Sequence, residues 1–181
     1  MGTVDMKKDE TISEGLKHLP IRPVYLLSVG NKRKKNIITI GMFASFSGKP
    51  ALVGVGIAPS RYSYELIRQS GEYVVNAVDK NLVEAVRICG KKSGRDVDKF
   101  KLAKLTPEKG AKVSAPIIKE SPVSIECKVV EELEAGDHVW FIGKVLASHV
   151  REGYDWNDGL LFKWIGEDGF YYKVGKRIAK Y

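Results

Sequence analysis

The sequence predicts a mainly β protein, built as a barrel with a few short helices. Three observations support this fold class. Short β-prone runs recur between turn residues, one later segment alternates apolar and polar side chains, and only two segments combine helical periodicity with helix end signals. The 181 residues, 44% of them hydrophobic, have the length of one domain with one sizeable core. We therefore expect residues 1–181 to form a single domain, with residues 1–20 as an N-terminal extension.

Four strands are predicted in the first half of the chain. Residues 24–29 and 36–40 are short β-prone runs, and the polar stretch between them is typical of a hairpin turn. Residues 51–57 and 73–78 are two further runs of the same kind, each bounded by glycine, proline or charged residues. These runs supply the first strands of the barrel.

Two short helices are predicted between and after these strands. Residues 60–71 have helix end signals, because Ser60 can cap the start and Gly71 can end the helix in the left-handed conformation. Residues 79–89 have an apolar face with helical spacing, and Gly90 is the expected stop.

The C-terminal half predicts a long hairpin followed by a shorter one. Residues 123–129 alternate apolar and polar side chains, as a half-buried strand does. After a turn at residues 135–137, residues 138–148 are apolar at both odd and even positions. Such a strand is expected to be covered on both faces, by a helix or by a second subunit. Residues 164–174 indicate a final hairpin with its turn at residues 166–169.

Composition argues against several classes of protein. The longest apolar run, residues 51–59, falls far short of the ~20 residues that a membrane-spanning helix needs, and the first residues lack the apolar segment of a signal peptide. We therefore expect a cytoplasmic protein with no membrane partner. Two distant cysteines, Cys89 and Cys127, and three histidines without metal-binding spacing predict neither a disulfide nor a metal site.

The net charge of +8 raises the question of a nucleic-acid partner. The basic residues are scattered, however, and their denser runs at residues 32–35, 91–104 and 173–180 are broken by apolar or acidic residues. The strands also lack the exposed aromatics on which bases stack. A solvated basic surface is the preferred interpretation, and a nucleic-acid partner is not expected.

Two nucleotide-binding motifs are incomplete in this sequence. Gly54 and Gly56 are not followed by the third glycine of a dinucleotide fingerprint, because Pro59 occupies that place. The Gly-Lys-Lys-Ser sequence at residues 90–93 lacks the upstream glycine of a phosphate-binding Walker loop, where Ala85 stands. No nucleophile, base and carboxylate set has recognisable spacing, so a hydrolase is not predicted.

Short polar loops between the predicted strands carry a resemblance to a known family. In order they are residues 21–24 (Ile-Arg-Pro-Val), 39–43 (Thr-Ile-Gly-Met-Phe), 59–65 (Pro-Ser-Arg-Tyr-Ser-Tyr-Glu), 71–76 (Gly-Glu-Tyr-Val-Val-Asn), 89–95 (Cys-Gly-Lys-Lys-Ser-Gly-Arg) and 136–138 (Gly-Asp-His). Their order and spacing resemble the flavin reductase-like, FMN-binding split-barrel family, which includes flavoredoxins and archaeal ferric reductases. The resemblance covers nearly the whole chain from Arg22. One departure is Lys49, where the family often has the first proline of a pair.

The resemblance implies a six-stranded Greek-key split β-barrel that binds FMN in a cleft at the interface of a homodimer. It implies an oxidoreductase in which electrons pass from NAD(P)H, as co-substrate, through FMN to free flavin or ferric iron. No catalytic side chain is expected, because the cofactor carries this chemistry. The alternative is a flavoredoxin-like carrier that exchanges electrons with a redox protein and has no nicotinamide site.

The resemblance also implies a set of cofactor-binding residues: Thr39, Ile40, Gly41, Met42, Pro59, Ser60, Arg61, Tyr62, Ser63, Cys89, Gly90, Lys91, Ser93 and Lys99. The stretch 39–42 would meet the isoalloxazine edge. The helix start at 60–63 would hold the phosphate, because a helix N-terminus presents free N–H groups and the positive end of the dipole. The residues after the second helix would complete this anion site.

Structural alternatives remain open for several of these residues. Ser60 can serve only as a helix cap while Arg61 is solvated, and the lysines after the second helix can serve only solubility, which is the preferred role for Lys92. Gly41 can be a bulge in a curved strand.

Three further side chains have weaker assignments. His149 corresponds to a strand end where related reductases place a polar group near the nicotinamide, although a lone histidine there is more often structural. Trp156 and Trp164 would either cover the flavin or pack in the core.

Overall fold

The computed structural model describes residues 22–165 and 168–175. The N-terminal extension predicted at residues 1–20 lies outside the described residues, as does part of the turn predicted at 166–169. The strands are β1 (Arg22–Pro23), β2 (Tyr25–Gly30), β3 (Lys35–Ile40), β4 (Phe43–Gly48), β5 (Ala51–Ile57), β6 (Glu72–Ala77), β7 (Pro107–Glu108), β8 (Ile117–Ile118), β9 (Val123–Ala135), β10 (His138–Val150), β11 (Leu160–Ile165) and β12 (Asp168–Lys173). The helices are α1 (Tyr62–Ser70), α2 (Val83–Lys91) and α3 (Lys99–Leu102), with 3₁₀ turns at Lys80–Leu82 and Trp156–Asp158.

Seven antiparallel strands form the main sheet, in the order β3-β2-β6-β9-β10-β5-β4. A second sheet has the order β1-β11-β12, and β7 pairs with β8. The mainly β fold class is therefore confirmed. Six barrel strands were expected, whereas the main sheet has seven. The additional strand is β4, and the sequence did not predict it because Phe43–Gly48 is rich in Ala, Ser and Gly and lacks the β-branched residues that are typical of a strand.

The predicted C-terminal hairpins are present, and the first is longer than expected. β9 and β10 each have 13 residues and turn at Gly136, whose φ of 63° lies in the left-handed region that glycine adopts freely. β11 pairs with β12 up to Ile165 and Asp168. On β10, Val139 and Phe141 are buried in the core.

Two cores form on opposite faces of the strands β2 and β3, and the outer face of β6 contributes Val74 to a third, smaller cluster. Leu27, Val75 and Phe141 belong to the first core, which lies inside the curved sheet against α1. Leu26 and Ile37 point to the other face and pack with residues of α2 and α3 in the second core. Alternating residues of β2 therefore face different cores, which explains why this strand is apolar at successive positions.

Both main helices begin or end differently from the prediction. α1 ends at Gly71 as expected, with φ 66°, but its N-cap is Arg61 rather than Ser60, and no side chain caps it. Ser60 instead lies in a turn that the Arg61 N–H closes onto the Ala58 carbonyl at 3.0 Å. Gly90 does not stop α2, which continues to Lys91. No described helix is long and apolar enough to cross a membrane, and the expected cytoplasmic location stays a prediction.

Candidate functional site

A small polar cavity lies where the start of α1, the end of α2 and the edge strand β3 meet. Its volume is about 120 Å³. It is lined by Asn36, Ile38, Ser60, Arg61, Tyr62, Ser63, Cys89, Gly90, Lys91, Lys92, Ser93, Gly94, Arg95 and Lys99. These residues come from four separate segments of the chain, so the fold has assembled the cavity from parts that are distant in sequence.

Lys99 is the buried cation of this cavity. Only 4% of the residue is exposed, and its Nζ donates hydrogen bonds to the carbonyls of Ile37 and Cys89, both at 2.8 Å. No carboxylate among the described residues forms an ion pair with it. Burial lowers the pKa of Lys99, and the nearby positive charge of Arg61 lowers it further. A buried charge without a counterion is costly, so the site favours an anion.

The start of α1 adds backbone donors to the same cavity. No side chain caps the helix, and because the Tyr64 N–H already bonds to the Arg61 carbonyl at 3.0 Å, the N–H groups of Tyr62 and Ser63 are the backbone donors left for an anion. Ser63 is fully buried there, and its Oγ accepts a hydrogen bond from Asn36 Nδ2 at 2.9 Å. Gly94 packs against the Asn36 amide so closely that a Cβ at this position would overlap it. The small residue is therefore needed to keep Asn36 in place.

Arg95 ties the loop after α2 to the start of α1. Its Nη1 donates to the Ser60 carbonyl at 3.1 Å, and its Nη2 forms an ion pair with Glu65. The Arg95 guanidinium and the Lys34 ammonium each lie 5.4 Å from the centre of the Tyr62 ring. These contacts fix the two loops relative to each other and therefore preorganise the cavity.

The remaining cations of the cavity are exposed and have no carboxylate partner among the described residues. They are Arg61, Lys91 and Lys92. Together with the hydroxyls of Ser60 and Ser93 and the buried Lys99, they form a donor set without an acidic member. Such a set fits a doubly charged phosphate monoester, because phosphate oxygens accept several charge-assisted hydrogen bonds at once. The residues therefore fit the phosphate end of FMN.

Most of the predicted phosphate-site residues come together in this cavity. Ser60, Arg61, Tyr62, Ser63, Cys89, Gly90, Lys91, Ser93 and Lys99 all line it. Cys89 contributes its carbonyl to Lys99, while its thiol is buried and burial raises the pKa of that thiol to about 11. Pro59 lies in the turn directly before the cavity and does not line it. Ligand contact by each of these residues stays a prediction.

The stretch predicted to meet the flavin ring does not line this cavity. Thr39 Oγ1 donates a hydrogen bond to the Val86 carbonyl at 2.6 Å, and Ile40 is buried in the core. Gly41 lies between β3 and β4, so its interpretation as a bulge within a strand is wrong. The Met42 carbonyl accepts a hydrogen bond from the N–H of Gly56 at 3.1 Å. This stretch connects the two edges of the main sheet, and its contact with a flavin ring stays a prediction.

His149 has a structural partner away from the cavity. Its Nε2 lies 2.6 Å from Oε1 of Glu126, which is fully buried. The same carboxylate accepts hydrogen bonds from the backbone N–H groups of residues 111–113 at 2.7 to 2.9 Å. A nicotinamide contact by His149 remains untested. Trp156 is 60% exposed, so its packing in the core is excluded, and the side chain of Trp164 lies outside the described part of the chain.

Sequence reasoning missed four residues of the cavity: Asn36, Ile38, Gly94 and Arg95. It also assigned Lys92 to solubility, whereas Lys92 lines the cavity. The adjacency of Asn36 and Gly94 arises only when β3 meets the loop after α2, so no local pattern signals it. For Arg95 and Lys92, the signal was their position in the same loop as Lys91 and Ser93.

The fold is a mainly β barrel with a cationic cavity that fits a phosphate, and comparison with known proteins gives the family. The flavin reductase like domain matches residues 18–164. The chain is 39% identical over 140 residues to a protein of Archaeoglobus fulgidus, with 77% of each chain covered. This chain therefore belongs to the flavin reductase-like family of FMN-binding split-barrel flavoproteins.

Several relatives and solved structures that match this chain have names that state an activity. The chain is 30% identical to a flavin reductase of Pseudomonas putida over 76% of this chain and 75% of that one. It is 26% identical to an NADH-dependent FMN reductase of Streptomyces nodosus subsp. asukaensis, over 71% and 69%. Among solved structures, flavoredoxin from Methanosarcina acetivorans has a TM-score of 0.81 at 29% identity, covering 99% of this chain and 95% of that one. Flavoredoxin of Desulfovibrio vulgaris (Miyazaki F) has a TM-score of 0.83 at 26% identity, covering 97% of each.

Proposed function

We propose that this protein is an FMN-dependent oxidoreductase that takes electrons from NAD(P)H and passes them to free flavin or ferric iron. The observation that carries the proposal is Lys99, a buried cation without a carboxylate partner among the described residues, in a cavity whose charged side chains are all cationic. The phosphate of FMN supplies the missing negative charge. Family membership supplies the flavin class of ligand.

In this proposal the residues of the cavity bind and orient the phosphate. Lys99 keeps a fixed position because two carbonyls hold its Nζ, while Arg61 and Lys91 approach from the solvent side. The free N–H groups at the start of α1 donate hydrogen bonds to the phosphate oxygens along the helix axis. Fixing the phosphate would fix one end of FMN on the protein.

Bound FMN would supply the hydride and electron-transfer chemistry, while Arg61, Lys91 and Lys99 would hold its phosphate. No acid or base from the protein is needed for that chemistry, so the protein acts by holding the two ligands and excluding water from between them. The NAD(P)H requirement is supported by the relative named as an NADH-dependent FMN reductase.

A second candidate function is an electron carrier that exchanges electrons with a redox protein and has no nicotinamide site. The likeness to two flavoredoxin structures at 29% and 26% identity favours this candidate. The two functions share the same FMN site and differ in the molecules that give and take the electrons.

We also propose that the working form is a homodimer. An apolar patch formed by Phe46, Leu133 and Trp140 lies on the outer face of the main sheet. Phe46 and Leu133 are 45% and 47% exposed, Trp140 is half-buried, and the Phe46 and Trp140 rings meet edge to face at 6.0 Å. Leu133 lies directly opposite Trp140 on the neighbouring strand. A contiguous apolar surface of this kind is typical of a contact between subunits.

The deciding experiment is anaerobic reduction of the purified protein after loading with FMN. The reductase predicts a flavin absorbance spectrum that bleaches on addition of NADH or NADPH and returns on addition of free FMN or a ferric chelate. The carrier predicts the same bound spectrum without bleaching by either nicotinamide. A protein that neither retains FMN nor quenches its fluorescence at micromolar concentration contradicts both.

A further inference from the structure

A second and larger concavity lies beside the phosphate cavity, between the β2–β3 turn and the loop that joins β7 to β8. Its volume is about 750 Å³. The residues that line it are Asn31, Lys32, Arg33, Lys35, Pro107, Glu108, Lys109, Gly110, Ala111, Lys112, Val113, Ser114 and Pro116. We call it the basic cleft. None of the residues assigned to FMN lines it.

The charges of the basic cleft are strongly one-sided. Five of its side chains are cationic: Lys32, Arg33, Lys35, Lys109 and Lys112. Its one acid, Glu108, already pairs with Lys119 at 3.6 Å. Within residues 22–165 and 168–175, none of the five cations forms an ion pair with a carboxylate. No ion pair among the described residues relieves their mutual repulsion, and a bound anion would reduce it.

Both walls of the basic cleft are held by specific hydrogen bonds. On one side, the Asn31 side chain accepts from the N–H groups of Arg33 and Lys34 at 2.9 and 3.1 Å, which shapes the turn. On the other side, the buried carboxylate of Glu126 accepts from the N–H groups of residues 111–113. A Cβ at Gly110 would lie 2.8 Å from Glu126 Oε2. The walls are thus preorganised, which lowers the entropy cost of binding a ligand between them.

The floor of the basic cleft is buried and uncharged, whereas its rim is exposed and cationic. Gly110, Val113 and Pro116 are buried there, whereas Lys32, Arg33, Lys109 and Lys112 are exposed. A ligand that fits has negative groups for the rim and a flat or apolar body for the floor. The volume lies within the 300–1,000 Å³ typical of small-molecule sites and exceeds the size of a single inorganic anion.

We propose that the basic cleft binds a small organic oligophosphate, a molecule that carries two or more adjacent phosphates on a ring-bearing body. Arg33 and Lys112 project from opposite walls and contact the phosphates, while the floor contacts the body. This binding site is separate from the FMN phosphate cavity, and the proposal does not depend on the proposed function. An acidic protein segment is the competing occupant, and it is disfavoured because the concavity has the dimensions of a small molecule.

The test is calorimetric titration of the full chain with ADP as the probe. We expect one ADP per chain for the wild type and a loss of affinity of about tenfold or more for the double variant Arg33→Glu, Lys112→Glu, because two charge-assisted contacts become repulsive. The matched control is Lys49→Glu, Lys144→Glu, which changes the net charge equally at exposed positions outside the cleft. Thermal unfolding midpoints of the variants verify that each is folded.

Further variants and ligands in the same titration test the competing explanations of ADP binding. Equal losses in both double variants would mean attraction by net charge alone and would overturn the proposal. Arg61→Ala should leave the ADP affinity unchanged. A loss of ADP affinity in this variant would place ADP in the phosphate cavity and overturn the proposal. Adenosine and pyrophosphate should each bind more weakly than ADP, and adenosine binding as tightly as ADP would exclude a phosphate site. Decaglutamate binding the cleft more tightly than ADP would assign it to an acidic protein partner and overturn the small-molecule class.

Discussion

Arg61 is the residue at which the phosphate assignment is most directly tested. It is the N-cap of α1, it is exposed, and its charge acts on buried Lys99. Arg61→Ala should weaken FMN binding by roughly tenfold or more, because a charge-assisted contact with phosphate contributes about 1.5–3 kcal/mol. Riboflavin lacks the phosphate, so its affinity should change little. Fluorescence titration with both ligands measures the difference.

Arg68→Ala is the matched control for this prediction, since Arg68 is an exposed arginine on the same helix that does not line the cavity. It should leave both affinities near the wild-type values. If Arg61→Ala weakens FMN and riboflavin equally, the phosphate assignment of Arg61 is wrong.

Glu126 should make stability depend on pH in the acid range. Burial raises the pKa of Glu126, but hydrogen bonds from His149 and from the N–H groups of residues 111–113 outweigh it, so the net pKa lies below the ordinary 4.5. A carboxyl whose native pKa is depressed stabilises the fold above its unfolded-state pKa and loses that contribution as pH falls through the native value. The stabilisation should therefore be complete at pH 7 and decline below about pH 4.5.

Urea unfolding of Glu126→Gln tests this expectation. At pH 7 the variant should be less stable by about 1–3 kcal/mol, because a charged acceptor of several hydrogen bonds is lost. The difference from wild type should shrink as the pH is lowered toward 3. Glu131→Gln, which alters an exposed residue on the same strand, is the control and should have little effect at either pH. A Glu126→Gln difference that does not vary with pH would refute the ionic role.

At the level of elements, the packing of β6 across the sheet depends on Gly143 in β10. Tyr73 of β6 is fully buried, and its hydroxyl lies 2.9 Å from the Val53 carbonyl and 3.2 Å from the Phe141 carbonyl. A Cβ at Gly143 would lie 2.4 Å from this hydroxyl. The tyrosine therefore occupies space that only a glycine at position 143 leaves open.

Gly143→Ala should destabilise the protein by about 1–3 kcal/mol through overpacking. At roughly 2–4 °C per kcal/mol for a chain of this size, the melting temperature falls measurably in a thermal scan. Gly48→Ala is the control, because a Cβ there meets nothing within 4 Å. A Cβ at position 143 would also lie 2.7 Å from the Cζ of the Tyr73 ring, so adding Tyr73→Phe should restore only part of the loss. A Gly143→Ala variant as stable as Gly48→Ala would contradict the overpacking.

Sequence patterns predicted those elements whose own residues carry the signal. The strand from residue 123 onward was evident from alternation, and the end of α1 from Gly71. β4 was missed because its small residues are held in the sheet by pairing with β5, a tertiary contact that no local propensity records. Gly90 was taken as a helix stop, but its φ is not positive and α2 runs past it, so the glycine rule did not apply.

The candidate site was predictable only where the loops that carry the family resemblance contain its residues. The loop after α2 and the start of α1 were found together because the order of the family's loops contains both. Asn36 and Gly94 were not found, because their contact exists only after β3 packs beside that loop. Lys99 was included among the expected contacts, but only the three-dimensional structure shows that no carboxylate of residues 22–165 and 168–175 pairs with it.

At the scale of the whole molecule, the apolar patch predicts the oligomeric state. Light scattering should give a mass twice that of the 20.1 kDa chain. Leu133→Glu should shift the population toward monomer, because it places a charge in the patch opposite Trp140. Leu102→Glu is the control, since Leu102 is 45% exposed on α3 and lies outside the patch. A wild-type protein that is monomeric when loaded with FMN would contradict the homodimer.

The strand order of the main sheet has a consequence for how fast the chain reaches its native state. β2–β3, β4–β5 and β9–β10 are hairpins that close over short loops, but three other pairings connect distant segments. Pairing of β5 with β10 joins Ile57 to Val139, and β6 joins both β2 and β9. Loop-closure entropy must be lost before these contacts form, so refolding should take milliseconds to seconds rather than microseconds. Stopped-flow dilution from urea would measure that rate.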